Sequence, residues 1–136
     1  EKEQGAIYHD TLDGLLSVSD VLSVCCPASK ETINLINKDA LEKLPQGAVV
    51  TNVARGDIVD DEALIDALDR RKVYAVGLDV YKGEPNLNPG YTKHKTAFIL
   101  PHLGSATKVT RTAMANLAID NITEFFKTGG CKNKVN

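Results

Sequence analysis

Short apolar runs alternating with helix-length segments limit this chain more than any other feature. Val21-Leu22-Ser23-Val24-Cys25, Gly47 to Val53, Val73 to Leu78 and Phe98-Ile99-Leu100 each have the length of a strand. The near-continuous apolar character of the Val21 run fits a strand covered on both faces. Gly5 to Tyr8 reads as a further short strand. Segments of helical character separate nearly every pair, and parallel strands need crossovers of about that length. The pattern predicts an α/β fold with a mostly parallel sheet of four to five strands.

The helix signals agree. Thr11 is placed to cap a helix through Leu12, Leu15 and Leu16, and Asn37 to cap one from Lys38 to Leu44. Lys30 to Ile36 reads as a short helical turn. Asp60 caps a helix whose Ala63, Leu64, Ala67 and Leu68 share one face. The last helix is expected from about Thr107 to Lys127, with Met114, Leu117, Ala118, Ile122, Phe125 and Phe126 as its buried stripe. Arg111, Asn116, Asp120 and Glu124 face the other way, and Gly129-Gly130 stops it. Residues 81–96 read as a long loop punctuated by Gly83, Pro85, Pro89 and Gly90, and long loops are often functional.

Composition narrows the function classes. With 136 residues the chain has room for one domain and one core. A net charge of -2 gives no sign of a surface for nucleic acid or anionic membranes. No apolar stretch reaches the roughly 18 residues of a spanning helix. The start, EKEQGAIYHD, is not read as a signal peptide, and without an initiator Met the chain is expected to be a fragment or trimmed product. Cys25 and Cys26 are adjacent on a strand and so point to opposite faces, and no CxxC or His/Cys cluster predicts a metal. The cysteines are expected to be buried and reduced, in a reducing, cytoplasmic compartment.

The chemistry-bearing residues gather at strand ends, where open parallel sheets bind ligands. Arg55 follows the strand ending at Val53, and its rigid guanidinium fork suits a planar carboxylate. Gly56 beside it is expected to let backbone and ligand approach closely. Asp79 ends the next strand, where its carboxylate can accept from a ligand amide or cap local N–H groups. His102 follows Pro101 past the Phe98 strand, and an imidazole is a side chain that can give or take a proton. A carboxylate on one ring nitrogen fixes the tautomer and favours the imidazolium, and Glu84 is the candidate. His9, His94, Lys82 and Lys93 are expected on the solvated surface.

The stretches LLSVSDVLSVCCPASKETINLIN, GAVVTNVARGDIVDDEALIDAL, AVGLDVYKGEP and ILPHLGSAT carry a resemblance. In order and spacing they resemble the D-isomer-specific 2-hydroxyacid dehydrogenases, in the C-terminal portion of the nucleotide-binding domain. The resemblance runs from about Gly5 to Gly129. It implies a partial Rossmann-like domain over residues 1–128, with 129–136 as a tail leading out of it. It implies NAD or NADP as cofactor, a small 2-keto or 2-hydroxy acid as substrate, and a homodimer formed near the last helix. By resemblance Arg55 binds the substrate carboxylate, Glu84 is the acid paired with the histidine, and His102 is the acid–base residue. Asp79 matches the contact to the nicotinamide carboxamide. Cys26 and Pro27 match the edge of the adenine pocket. Val53, Ala54, Arg55, His102, Leu103 and Gly104 match positions around the cofactor.

The wording looks most like glyoxylate or hydroxypyruvate reductases, with phosphoglycerate and D-lactate dehydrogenases as alternatives. A corepressor-like or scaffolding relative would keep the same Arg, Glu and His. A response-regulator-like module would need an acidic pocket that Asp20 and Asp79 do not make. There is no GxGxxG in the chain to cradle a pyrophosphate. The chain alone is therefore expected to have little or no activity.

Overall fold

The computed structural model describes residues 2–135. It divides into two compact units, Glu1–Pro101 and His102–Asn136. The first holds a four-stranded sheet of β1 (Val21–Val24), β2 (Ala48–Asn52), β3 (Val73–Leu78) and β4 (Ala97–Ile99). The strands lie in the order β1-β2-β3-β4 and every neighbouring pair is parallel. The expected α/β class and parallel sheet are what the chain forms.

Side-chain caps set the helix starts. In α1 (Leu12–Leu16) the Thr11 hydroxyl accepts from the Gly14 amide at 3.1 Å. In α2 (Lys38–Lys43) Asn37 Oδ1 accepts from Ala40 at 3.0 Å. In α3 (Asp61–Asp69) Asp60 Oδ1 accepts from Ala63 at 3.2 Å. Each bond satisfies an N–H that the first turn would leave without a partner. Successive strands step one way across the sheet, and right-handed crossovers then put their helices on one face. Accordingly α1 touches α2 and α2 touches α3. Leu16, Leu41, Leu64 and Leu68 meet Leu22, Val24, Val50, Val76 and Leu78 in the core between the two layers.

That one-sided layering corrects the expectation that the Val21 strand is covered on both faces. Only alternate residues of β1 are buried, and Val21 stays 63% exposed. Ser23, Thr51, Gly77 and Phe98 form one register row across the sheet. Phe98–Leu100 was expected to be a buried strand. It is an edge strand beginning at Ala97, with a neighbour on one side only, and Phe98 is 66% exposed. Gly5 to Tyr8 is not a strand. Gly5 turns the chain at φ +66, and no described strand pairs with the exposed segment. The cysteines are not buried: β1 stops at Val24, so Cys25 is exposed and Cys26 and Cys131 are half-buried, all three free. His9 and His94, expected at the surface, are half-buried, and His94 Nε2 lies 3.3 Å from Asp69 Oδ1.

The 81–96 segment is more ordered than a plain loop. It contains a 3-10 turn, Pro89–Lys93, capped by Asn88 Oδ1 on the Gly90 amide at 2.9 Å. Tyr91 pins that turn into the core, only 1% exposed, and its hydroxyl donates to Asp61 Oδ1 at 2.9 Å. Burial pushes the Asp61 carboxyl above its ordinary range, against the bond from Tyr91 and the charge of Lys82, which lower it. Burial also pushes the Tyr91 phenol up, with the Asp61 charge adding to the shift. Tyr91→Phe should therefore cost about 1–3 kcal/mol, because a buried carboxylate loses its donor. Urea midpoints of the two proteins check this. The sign of the pH effect follows from the raised folded-state value. Asp61 contributes stability while it is protonated, below the ordinary carboxylate range, and loses that contribution as pH rises through the folded value. Asp61→Asn should thus gain stability relative to the parent as pH rises above the ordinary carboxylate range.

The second unit holds α4 (Lys108–Thr128), capped by Thr107 on the Thr110 amide at 3.1 Å and ended by Gly129 at φ +78. The expected stripe of Met114, Leu117, Ala118, Ile122, Phe125 and Phe126 is not buried; no residue of α4 is. A stripe is buried only where a second element covers it. Among the described residues this unit has α4 and its short flanks alone. Phe125 and Phe126 pack edge to face at 6.1 Å.

Candidate functional site

The sheet's parallel order brings the C-terminal ends of β1, β2 and β3 side by side, with Val24, Asn52 and Leu78 in register. Beyond β1 the chain continues through Cys25, Cys26, Pro27 and Ala28; beyond β2 it continues through Val53, Ala54 and Arg55. These seven residues line one cavity of about 530 Å³. Five of the residues read from the sequence, Cys26, Pro27, Val53, Ala54 and Arg55, therefore share one cleft. Its lining is divided about evenly between polar and apolar surface, and the only formal charge among the lining residues is the Arg55 guanidinium.

The Arg55 turn is held from both sides. Asn52, which is 0% exposed, uses its carboxamide Oδ1 to accept from the Ala54 amide at 3.0 Å. Its Nδ2 donates to the Arg55 carbonyl at 2.9 Å. The exposed guanidinium donates from Nη1 to the Ala54 carbonyl at 2.6 Å. A 3-10 turn, Gly56–Ile58, follows and buries Ile58. Here the expectation for Gly56 is corrected. What approaches it is the chain's own backbone, because a Cβ would overlap the Tyr81 carbonyl and the Lys82 nitrogen. Gly56→Ala should cost about 1–3 kcal/mol, since neither backbone can move aside cheaply. Gly130→Ala, with only Thr128 Oγ1 at 4.0 Å, is the control. Equal denaturant midpoints for the two variants would refute the prediction.

The remaining candidates follow the other strands. Asp79 is half-buried, and its amide donates to the Asn52 carbonyl at 3.0 Å, which continues the ladder one step past β3. Glu84 is exposed on the loop after β3, and its Oε1 accepts from the Tyr81 amide at 3.1 Å. His102, Leu103 and Gly104 open the second unit as exposed bends and turns ahead of α4. His102 has φ +54, a left-handed backbone that few non-glycine residues adopt and that recurs at functional sites. The Leu103 carbonyl accepts from the Ala106 amide at 2.9 Å.

A second cavity, of about 560 Å³, lies at the start of α3 and is lined by Asp60, Asp61, Glu62 and Lys82 among others. Its three carboxylates disfavour an anion, and none of the candidate residues lines it. Among the described residues no cluster of three His, Cys, Asp or Glu is placed to hold a metal. No described helix is long and apolar enough to cross a membrane. Sequence reading missed Asn52. The signal was there, an amide side chain at the end of an apolar central strand, but its partners lie in the turn geometry.

Residues 1–104 match the family model described as the D-isomer specific 2-hydroxyacid dehydrogenase NAD binding domain. A glycerate dehydrogenase of Hyphomicrobium methylovorum is 44% identical over 126 residues, 93% of this chain and 39% of that protein. A glyoxylate reductase of Aeropyrum pernix is 41% identical over 100% of this chain and 41% of its own. Among solved structures, the NADPH-dependent glyoxylate/hydroxypyruvate reductase of Sinorhizobium meliloti in complex with NADP and malonate superposes with a TM-score of 0.88 at 38% identity. That match covers 94% of this chain and 40% of the other. The chain thus spans about two-fifths of the length of these relatives.

Proposed function

This chain belongs to the NAD-binding domain family of the D-isomer specific 2-hydroxyacid dehydrogenases, and on that premise we propose that it serves hydride transfer between a nicotinamide coenzyme and a small 2-keto or 2-hydroxy acid. Glyoxylate or hydroxypyruvate is the substrate we assign. The observation that carries the reading is the cleft past β1 and β2, which gathers Cys26, Pro27, Val53, Ala54 and Arg55.

The cleft fits part of a dinucleotide. Uncharged side chains such as Pro27, Val53 and Ala54 along its wall suit the face of a flat base. The chain has no GxGxxG, so these residues do not supply the usual pyrophosphate cradle. NAD and NADP both remain compatible with the residues present. When bound, the coenzyme supplies the hydride for carbonyl reduction or accepts it in alcohol oxidation.

The chain's own residues do the rest. Arg55 grips the substrate carboxylate with its planar fork and draws charge toward the carbonyl. Asp79 would accept from the nicotinamide carboxamide, holding that end of the coenzyme. His102 gives a proton to the carbonyl oxygen in reduction and removes the hydroxyl proton in oxidation. Glu84 is the acid that serves His102, holding the tautomer and favouring the imidazolium. Leu103 and Gly104 would contact the coenzyme. Residues 1–128 act as the C-terminal portion of the coenzyme domain and 129–136 as the segment leading out of it. A homodimer and a cytoplasmic setting belong to the same reading, and the free cysteines support the latter.

The test is an assay of the polypeptide that carries this chain, following NADH and NADPH absorbance with glyoxylate, hydroxypyruvate and pyruvate. Turnover of glyoxylate or hydroxypyruvate is expected. Coenzyme binding without turnover of any 2-keto acid would overturn the catalytic reading and leave a dinucleotide-binding protein.

A further inference from the structure

We propose that Asn52 is a positioning residue: its buried carboxamide sets the backbone of Ala54 and Arg55, and through it the direction from which Arg55 meets a substrate carboxylate. The inference rests on the role given to Arg55 above. Asn52 ends the central strand β2, with Val24 and Leu78 in register on either side and no exposed surface. A carboxamide in such a place is costly unless both its ends are bonded. Both ends are bonded, and to the same short turn, at 3.0 Å to the Ala54 amide and 2.9 Å to the Arg55 carbonyl. The pair also fixes which end is which. Exchanging oxygen and nitrogen would set two acceptors against each other at one end and two donors at the other.

The main chain of Asn52 adds a third tie, its carbonyl accepting from the Asp79 amide at 3.0 Å. One residue therefore joins the turn that carries the substrate arginine to the strand end that carries Asp79. Only asparagine has a donor and an acceptor at this reach from Cα in so little volume. Aspartate keeps the bond from Ala54 but turns an oxygen on the Arg55 carbonyl, and leucine keeps the bulk with neither bond.

Asn52→Asp and Asn52→Leu, made in the polypeptide that carries this chain, test the inference by two readouts. The first is amide hydrogen exchange. Positioning predicts faster exchange confined to residues 53–57, with β3 and α3 keeping their protection. The second is kinetic. Both variants should lose about 10²-fold in kcat/KM for the 2-keto acid, the scale of a catalytic group misplaced by about 1 Å. That loss should not add to the loss from Arg55→Gln in the double variant, because both act through one guanidinium. Leu64→Ala, a fully buried position on α3, is the comparison for general destabilisation and should leave KM unchanged while the protein is folded.

Exchange that quickens throughout the sheet, or kinetics that match Leu64→Ala, would overturn the inference. Additive losses in the double variant would overturn it as well. If Arg55→Gln alone leaves kcat/KM intact, the substrate role of Arg55 is what falls. The positioning inference is then decided by the exchange result alone.

Discussion

His102→Asn should lower kcat for reduction of a 2-keto acid by about 10²–10⁴-fold, the range that a positioned acid–base group contributes. Asparagine is the informative replacement. His102 sits at φ +54, and asparagine is among the few residues that share histidine's tolerance of that left-handed backbone. The variant therefore keeps the turn ahead of α4 and removes the imidazole that gives and takes the proton. His102 is exposed, so its loss leaves no cavity in the core. Coenzyme affinity, read by fluorescence titration, should change by less than the rate does. A kcat within a few-fold of the parent would remove His102 from the mechanism.

Arg55→Gln should cost about 10²–10³-fold in kcat/KM, the effect of losing one donor aimed at developing charge. Glutamine retains a donor without the charge or the second arm of the fork. Arg55→Lys should recover little of the loss, since an ammonium cannot reproduce a planar two-point grip. The guanidinium is exposed, so folding should be almost untouched. The diagnostic arm is the substrate. An analogue whose carboxylate is replaced by a carboxamide should be turned over equally poorly by parent and variant. If the variant discriminates against the carboxamide as strongly as the parent does, Arg55 is not the carboxylate anchor.

Period and caps were legible from the sequence. Thr11, Asn37 and Asp60 each accept the amide that their position before a helix implied. The sheet class was legible for a similar reason, because helix-length spacers exclude hairpins. Burial was less so. Val21, Phe98 and the stripe of α4 are apolar residues whose covering depends on what lies across from them, and period carries no information about that. Within the candidate site, Arg55 was found because strand ends are where parallel sheets place ligands, whereas Cys26, Pro27, Val53 and Ala54 came only from the family resemblance. Gly56 and Asn52 were misread or missed because their neighbours, Tyr81 and the Arg55 carbonyl, come from turn geometry. Tyr91 was passed over for a like reason, its partner Asp61 lying 30 residues away in the chain.

The consecutive order of the strands has a kinetic meaning as well. Each strand pairs with the next in the chain, Val21 with Val49, Val49 with Ala75 and Val76 with Ala97. All three closures span roughly 20 to 30 residues, so their loop entropies differ by only a few tenths of a kcal/mol. No pairing has a head start from locality, and no strand must wait for a distant one to arrive. The sequence of assembly is then decided by how much apolar surface each unit gathers as it forms. By that measure β2, α3 and β3, which hold Val50, Leu64, Leu68 and Val76, form the natural nucleus, and β4 with its exposed Phe98 docks last.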